Sequence, residues 1–211
     1  MRIAPEGWAF ILPAWVVAFL LVGTARTGLW LPAALWLPLA FWVVAFFRDP
    51  PRNRVRGDEL ILAPADGRIV SVIPQDEPEF LRSSSTRVSI FMNVFDVHVN
   101  RYPAGGRVAY RRYSRGRFLN AAAEKASTAN EQAAIGLETR YGRLLVRQIA
   151  GLIARRIVTD HQEGREVRQA ERLGLIRFGS RVDLFVPASA RVVVSAGQRA
   201  RAGETVVAQW T

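Results

Sequence analysis

Cysteine is absent from this 211-residue chain, which removes disulfides, thiolate zinc sites and cysteine nucleophiles together. Histidine occurs only at His98 and His161, and lysine only at Lys125. Proton transfer near neutral pH therefore has two ordinary candidates, and a carrier or Schiff-base lysine has one. Acidic residues are also scarce: 18 Asp and Glu against 29 Lys and Arg leave a formal net charge of +11. Clustered arginine is a footprint of nucleic-acid binding. Here the excess is scattered and sits beside apolar segments, where anionic lipid headgroups are as natural a counterpart, so no nucleic-acid partner is expected.

Charge is missing from two long stretches near the N-terminus. Residues 8–25 and 29–47 form uncharged runs of 18 and 19 residues, close to the ~20 that span a bilayer. Trp8, Trp15, Trp30, Trp36 and Trp42 lie in this region, several near the ends of the runs where indole prefers the interface. With only Arg26-Thr27-Gly28 between them, the runs predict a tight membrane hairpin with both ends on one side. Arg48, Arg52, Arg54 and Arg56 follow, and the positive-inside bias places the rest of the chain on the cytoplasmic face of the cell's inner membrane. A competing reading makes residues 1–25 a signal peptide, with Gly23 and Ala25 before the cleavage point. The second run would still leave the basic segment inside.

The paired prolines Pro50-Pro51 end any helix, and beyond them the pattern changes period. Short Val-, Ile-, Leu- and Phe-rich segments at 60–63, 68–73, 87–91, 107–112, 144–149, 156–159, 182–186 and 191–194 are bounded by turn residues. They predict a mainly β (α+β) domain, closed or sandwiched. The expected organisation is a helical anchor over 1–47, a linker over 48–58 and a catalytic domain over 59–211. The Ala-rich stretch 120–132 is a helix or an ordered loop. Residues 163–167 and 196–200 repeat at an offset of 33, as do Ala170-Glu171 and Gly203-Glu204. Such paired turns are similar to those of biotinyl and lipoyl barrel-sandwich domains. Lys125 lies in neither copy, so a swinging-arm carrier is not expected.

Four motifs carry chemistry. Ala63-Pro64-Ala65-Asp66-Gly67 is a turn with an acidic residue leading into a strand. Residues 91–103 (FMNVFDVHVNRYP) place His98 among Asp96, Asn100 and Arg101. Residues 116–132 hold Asn120, Lys125, Ser127 and Asn130. Residues 177–187 (RFGSRVDLFVP) contain Gly179-Ser180, where a serine hydroxyl can attack the carbonyl before it. Together with FFRDPPR at 46–52, and in this order, the motifs resemble the short, membrane-associated form of the phosphatidylserine decarboxylase family, over most of the chain.

The resemblance implies a zymogen. Ser180 attacks the Gly179 carbonyl, the peptide becomes an ester, and elimination leaves a dehydroalanine that hydrolyses to a pyruvoyl group and ammonia. The cofactor is thus made from Ser180, and chains 1–179 and 180–211 stay associated. The resulting carbonyl serves as the electron sink for decarboxylation of phosphatidylserine to phosphatidylethanolamine at the bilayer. By the same resemblance Asp66 and His98 join Ser180 in processing, and His98 is the first candidate to return a proton to the product. Asn100, Arg101 and Lys125 are candidate substrate contacts, and no metal is implied. Longer bacterial members carry a second histidine where this chain has Arg101, a poor base. Three solutions stay open: His98 serves both steps, Asp66 acts without a histidine, or His161 assists. From other classes, a non-enzymatic β-barrel adaptor and a pyridoxal-phosphate enzyme using Lys125 are the alternatives, the latter lacking a Gly-rich phosphate cradle. Within the pyruvoyl class, decarboxylation of a small amino acid would leave the anchor without purpose.

Overall fold

The computed structural model describes residues 1–25, 28, 30–52, 56–121, 125–152, 156–177 and 180–211. It divides into two compact units, Met1–Pro51 and Arg52–Thr211.

In the first unit a two-residue strand β1 (Arg2–Ile3) and a 3-10 turn (Pro5–Gly7) lead into helix α1 (Trp8–Ala25), followed by α2 (Leu31–Phe46) and strand β2 (Arg48–Asp49). Small residues at the contact let the helices approach: Ala14, Ala18 and Ala40 pack with Trp36 and Leu37, and Trp36 Nε1 donates to the Ala14 carbonyl at 2.8 Å. Antiparallel pairing of β1 with β2 brings the two ends of this unit together. Phe19, Leu20, Leu35 and Phe41 remain exposed, an apolar surface far larger than a soluble unit of this size normally shows. The apolar segment Pro5–Ala25, at 21 residues and mean hydropathy 2.0, is long enough to cross a bilayer. Helix α2 has 16 residues and rises about 24 Å, short of the ~30 Å hydrocarbon core. The second run is thus three residues shorter as a helix than as a sequence. Of the expected turn, Arg26 and Thr27 lie outside the described residues.

The second unit is mainly β. Its elements are β3 (Leu60–Leu62), β4 (Gly67–Pro74), β5 (Ser85–Met92), β6 (Val99–Arg101), β7 (Gly106–Ser114), the single turn α3 (Ala126–Ala129), β8 (Gln132–Glu138) and β9 (Arg143–Ala150). There follow β10 (Ile157–Thr159), β11 (Glu166–Val167), β12 (Arg172–Ile176), β13 (Ser180–Pro187), β14 (Ala190–Val192), β15 (Arg199–Ala200) and β16 (Val206–Trp210). An eight-stranded antiparallel sheet in the order β11-β7-β8-β9-β13-β5-β4-β15 curls into a half-barrel. Two three-stranded sheets, β10-β12-β6 and β14-β16-β3, complete the unit. Among the described residues of the Ala-rich stretch 120–132, Ala126–Ala129 are helical, and Thr128 and Asn130 bond backbone carbonyls with their side chains.

The 33-residue repeat has a structural counterpart. Strands β11 and β15 sit at opposite edges of the large sheet, paired with Gly106-Arg107 and Gly67-Arg68 respectively. Gly164 donates to Val108 and Gly197 to Ile69, both at 2.8 Å, while Ala170 (φ 61°) and Gly203 (φ 68°) occupy matching left-handed turns. Reading inward from both edges, β7 matches β4, β8 matches β5, and the central neighbours β9 and β13 match each other. Gly67 is needed where the sheet closes: at φ 151° a Cβ there would lie 2.1 Å from the Phe91 carbonyl oxygen.

Alternation along β13 gives its two faces different contents. Val182, Leu184 and Val186 join Val88, Ile90, Met92, Val146 and Ala150 in the main core. The other face is also covered, and there Phe185, Leu145, Phe80 and Leu81 pack beside buried Arg87, Ser89, Arg181 and Asp183.

Candidate active site

Ser180 opens β13, directly opposite Met92 of β5 on one side and Ala150 of β9 on the other. Its neighbours in the register collect the rest of the motifs. Arg68 faces Phe91, which puts the start of β4 and the Asp66 turn at the same end of the sheet. Ser114 pairs with Gln132 and Gln132 with Ile149, so both ends of the 115–131 connection arrive there as well. In the smaller sheet Val99 faces Leu175, bringing His98 level with Ile176, a few residues before Ser180. Four motifs spread over more than a hundred residues therefore meet at one sheet end.

The serine is fully buried, and its hydroxyl contacts the thioether sulfur of Met92 at 3.4 Å. Asn100 reaches the same sulfur with Nδ2 at 3.6 Å, and its Oδ1 accepts from Gln148 Nε2 at 2.8 Å. Gln148 lies opposite Val182, two residues along the same face as Ser180. Both carboxamides are fully buried, yet their capacity is not used up. Thioether sulfur is a weak acceptor for Asn100, and among the described residues Gln148 Oε1 has no partner.

His98 is also fully buried, with Nδ1 3.0 Å from the Asp96 carbonyl. Against a carbonyl that nitrogen must carry the hydrogen, so in the neutral ring Nε2 keeps the lone pair. His161 occupies the opposite end of the small sheet, beyond Thr159, where it meets the Tyr102 hydroxyl at 3.3 Å and Glu171 at 3.6 Å. Burial first, then Asp160 and Glu171, push the Tyr102 phenol well above its ordinary range, so it remains protonated. This arrangement engages His161 in a separate cluster.

Asp66 is held by partners outside its own turn. Arg52 Nη2 reaches both carboxylate oxygens, at 3.0 and 2.8 Å, and the Ala202 amide donates to Oδ1 at 2.7 Å. The turn still abuts the histidine strand, because the Arg101 amide donates to the Pro64 carbonyl at 2.9 Å. Arg101 itself, one residue out of phase with Asn100, donates from Nη1 to the Ala170 carbonyl at 3.0 Å. Lys125 is exposed at the start of α3, and Asn120 is exposed too. Asn130 staples the connection to the site by donating from Nδ2 to the carbonyls of Leu119 and Ala150, at 2.8 and 2.7 Å. Ser127 bonds Asp183 at 2.7 Å on the far face of the sheet. Gly179 lies outside the described residues.

Known proteins resemble this chain over nearly its whole length. A family described as phosphatidylserine decarboxylase matches residues 39–208. A phosphatidylserine decarboxylase proenzyme of Aromatoleum aromaticum is 47% identical over 208 residues, covering 98% of this chain and 95% of its own length. Proenzymes of the same name from Symbiobacterium thermophilum and Nitrosomonas eutropha are each 45% identical, covering 97% and 99% of this chain and 94% and 95% of their own. The chain belongs to the phosphatidylserine decarboxylase family. Membership makes it a phosphatidylserine decarboxylase, and the Ser180 end of the sheet is where its four motifs converge. Two residues found there, Met92 and Gln148, escaped the sequence reading. The sequence signal for Gln148 was its place, beside Arg147, in the otherwise apolar run Leu144–Ala150.

Proposed function

We propose that this phosphatidylserine decarboxylase cuts itself between Gly179 and Ser180, and that position 180 then carries the pyruvoyl group on which the substrate amine is held. Such a carbonyl, once formed, supplies an electron sink for loss of carbon dioxide. The residues present fit it: Ser180 is buried between Met92 and Ala150, and beside it lie Asn100, whose amide donates to the weakly accepting Met92 sulfur, and Gln148, whose Oε1 has no partner among the described residues. That pairing of a buried serine with two under-used carboxamides is the observation that carries the reading.

The residues then divide the work. His98, holding its hydrogen on Nδ1, offers Nε2 as the base that takes the Ser180 proton during processing and later as the group that hands a proton to the product. Asp66, tied to Arg52 and Ala202, fixes the turn against which the histidine strand lies. Asn100 and Gln148 bind and orient the polar headgroup, and Lys125 at the exposed edge attracts its anionic groups. Arg101 acts as a structural residue, through Ala170. Residues 1–47 form the membrane anchor as a helical hairpin, the catalytic unit faces the cytoplasm, and the 1–179 and 180–211 chains remain one barrel-sandwich-like domain because β13 is paired on both sides.

Intact mass spectrometry of the purified protein, followed by assay with phosphatidylserine, tests this. The expected result is two chains, the smaller blocked by pyruvoyl, with decarboxylase activity. Ser180→Ala is expected to stay whole and inactive, and a cleaved, active Ser180→Ala protein would overturn the assignment.

A further inference from the structure

The loops at the Ser180 end of the sheet carry two exposed apolar side chains that the chemistry does not use. Phe95 is 71% exposed and Leu152 is 67% exposed. They belong to the loops that leave β5 and β9, the two strands flanking β13. Since neighbouring strands lie about 4.8 Å apart, those strands are separated by only about 10 Å, and the two residues follow them at the same end of the sheet.

Phe95 is held outward by a built turn. Asn93 accepts the Phe95 amide on Oδ1 at 2.8 Å, Asp96 accepts the Asn93 amide on Oδ2 at 2.9 Å, and the Asp96 amide donates to the Asn93 carbonyl at 3.0 Å. A turn this well tied normally presents a polar residue to water. Cations stand beside it. Arg199, with its side chain 75% exposed, reaches Asp96 at 3.3 Å. On the other flank Arg156 is exposed, and its carbonyl accepts the Arg177 amide at 3.3 Å. Lys125 is exposed on the connection that closes the same end.

We infer that this rim is a lipid-docking surface of the catalytic unit, in which Phe95 and Leu152 enter an anionic bilayer while Arg156, Arg199 and Lys125 meet its headgroups. Apolar tips ringed by cations match the interfacial layering of an anionic membrane. The inference rests on the reading that the substrate is a membrane lipid, and it adds what the helices of the first unit do not supply. A lipid headgroup would be presented at the sheet end where Ser180 is buried.

The absence of native cysteine allows a direct test in the full chain. Phe95→Cys, Leu152→Cys and, at the opposite sheet end, Tyr141→Cys are each labelled with an environment-sensitive fluorophore. The proteins are then reconstituted into phosphatidylcholine nanodiscs with or without phosphatidylglycerol. Probes at 95 and 152 are expected to shift to shorter wavelength in the anionic discs and to be quenched by spin-labelled lipid, while the probe at 141 stays aqueous. Equal, water-like emission at all three positions would overturn the inference. So would a shift at 95 and 152 that follows protein concentration without lipid, which would mean a second copy covers the rim. In parallel, Phe95→Ser/Leu152→Ser is expected to raise the apparent KM for vesicular phosphatidylserine about tenfold and to leave turnover of a water-soluble short-chain phosphatidylserine unchanged. Loss of turnover on the soluble substrate by the unsubstituted enzyme would instead count against the proposed reaction, with the fluorescence result standing apart from it.

Discussion

The hydroxyl of Ser180 rests 3.4 Å from the sulfur of Met92, its direct partner across β5 and β13. The nucleophile proposed to cut its own chain is thus held by a soft, weakly accepting neighbour. A stronger acceptor in its place would compete for the proton the reaction must remove. Met92→Leu, which roughly preserves volume, is expected to cost less than about 1.5 kcal/mol and to leave self-cleavage intact. Met92→Ala opens a cavity beside the serine and is expected to cost about 2–5 kcal/mol. Thermal unfolding in detergent and the ratio of cut to uncut chain on a denaturing gel report the two effects.

Removal of His98 separates its two proposed duties. His98→Ala is expected to slow self-cleavage by at least about a hundredfold, the usual contribution of a positioned base. A time course of freshly synthesised protein measures this, and normal cleavage with lost decarboxylation would confine His98 to the second step. His161→Ala, which disturbs only the cluster with Tyr102 and Glu171, is expected to cut at the normal rate.

Gln148→Leu removes the donor to Asn100 Oδ1 and leaves that oxygen buried without its partner. The expected loss of stability is about 1–3 kcal/mol. The diagnostic readout is KM for phosphatidylserine, expected to rise while the extent of self-cleavage stays the same, because the carboxamide pair is proposed to hold substrate rather than to activate Ser180.

Behind the active serine, Arg181 donates from Nε to Asp183 Oδ1 at 2.6 Å and from a terminal nitrogen to Ser89 at 2.6 Å, all fully buried. Asp183→Asn removes the carboxylate that faces two buried guanidiniums, Arg181 at 2.6 Å and Arg87 at 3.9 Å, and is expected to destabilise the protein by about 3–5 kcal/mol. The triple variant Arg87→Met/Arg181→Met/Asp183→Leu, which also removes the second buried guanidinium 3.9 Å from Asp183, is expected to be more stable than Asp183→Asn alone. Denaturant unfolding of the two variants and the unsubstituted chain tests the coupling.

Eight strands of the catalytic unit fall on the apolar segments read from the sequence, because β-branched and aromatic runs between turn residues carry their own signal. Strand β8 was illegible for the opposite reason: Ala133, Ala134 and Gly136 have little β preference and are strand only because β7 and β9 flank them. The 33-residue repeat was visible as a pattern of glycine and small residues, since each copy forms the same local turn. Its meaning as two matching edges of one sheet depended on pairings with β4 and β7, far away in the chain.

The site divides in the same manner. By itself the sequence determined the family resemblance, the candidate residues Asp66, His98 and Ser180, and the apolar N-terminal segments, because each is a matter of residue identity and short-range order. Only the tertiary structure decided where side chains point: Asp66 toward Arg52, Arg101 toward Ala170, Ser127 toward Asp183, and Gln148 into the company of Asn100 and Ser180. Those directions follow from strand register, where a shift of one residue exchanges the two faces of a strand, and register is set by the packing of the whole sheet rather than by any segment of it.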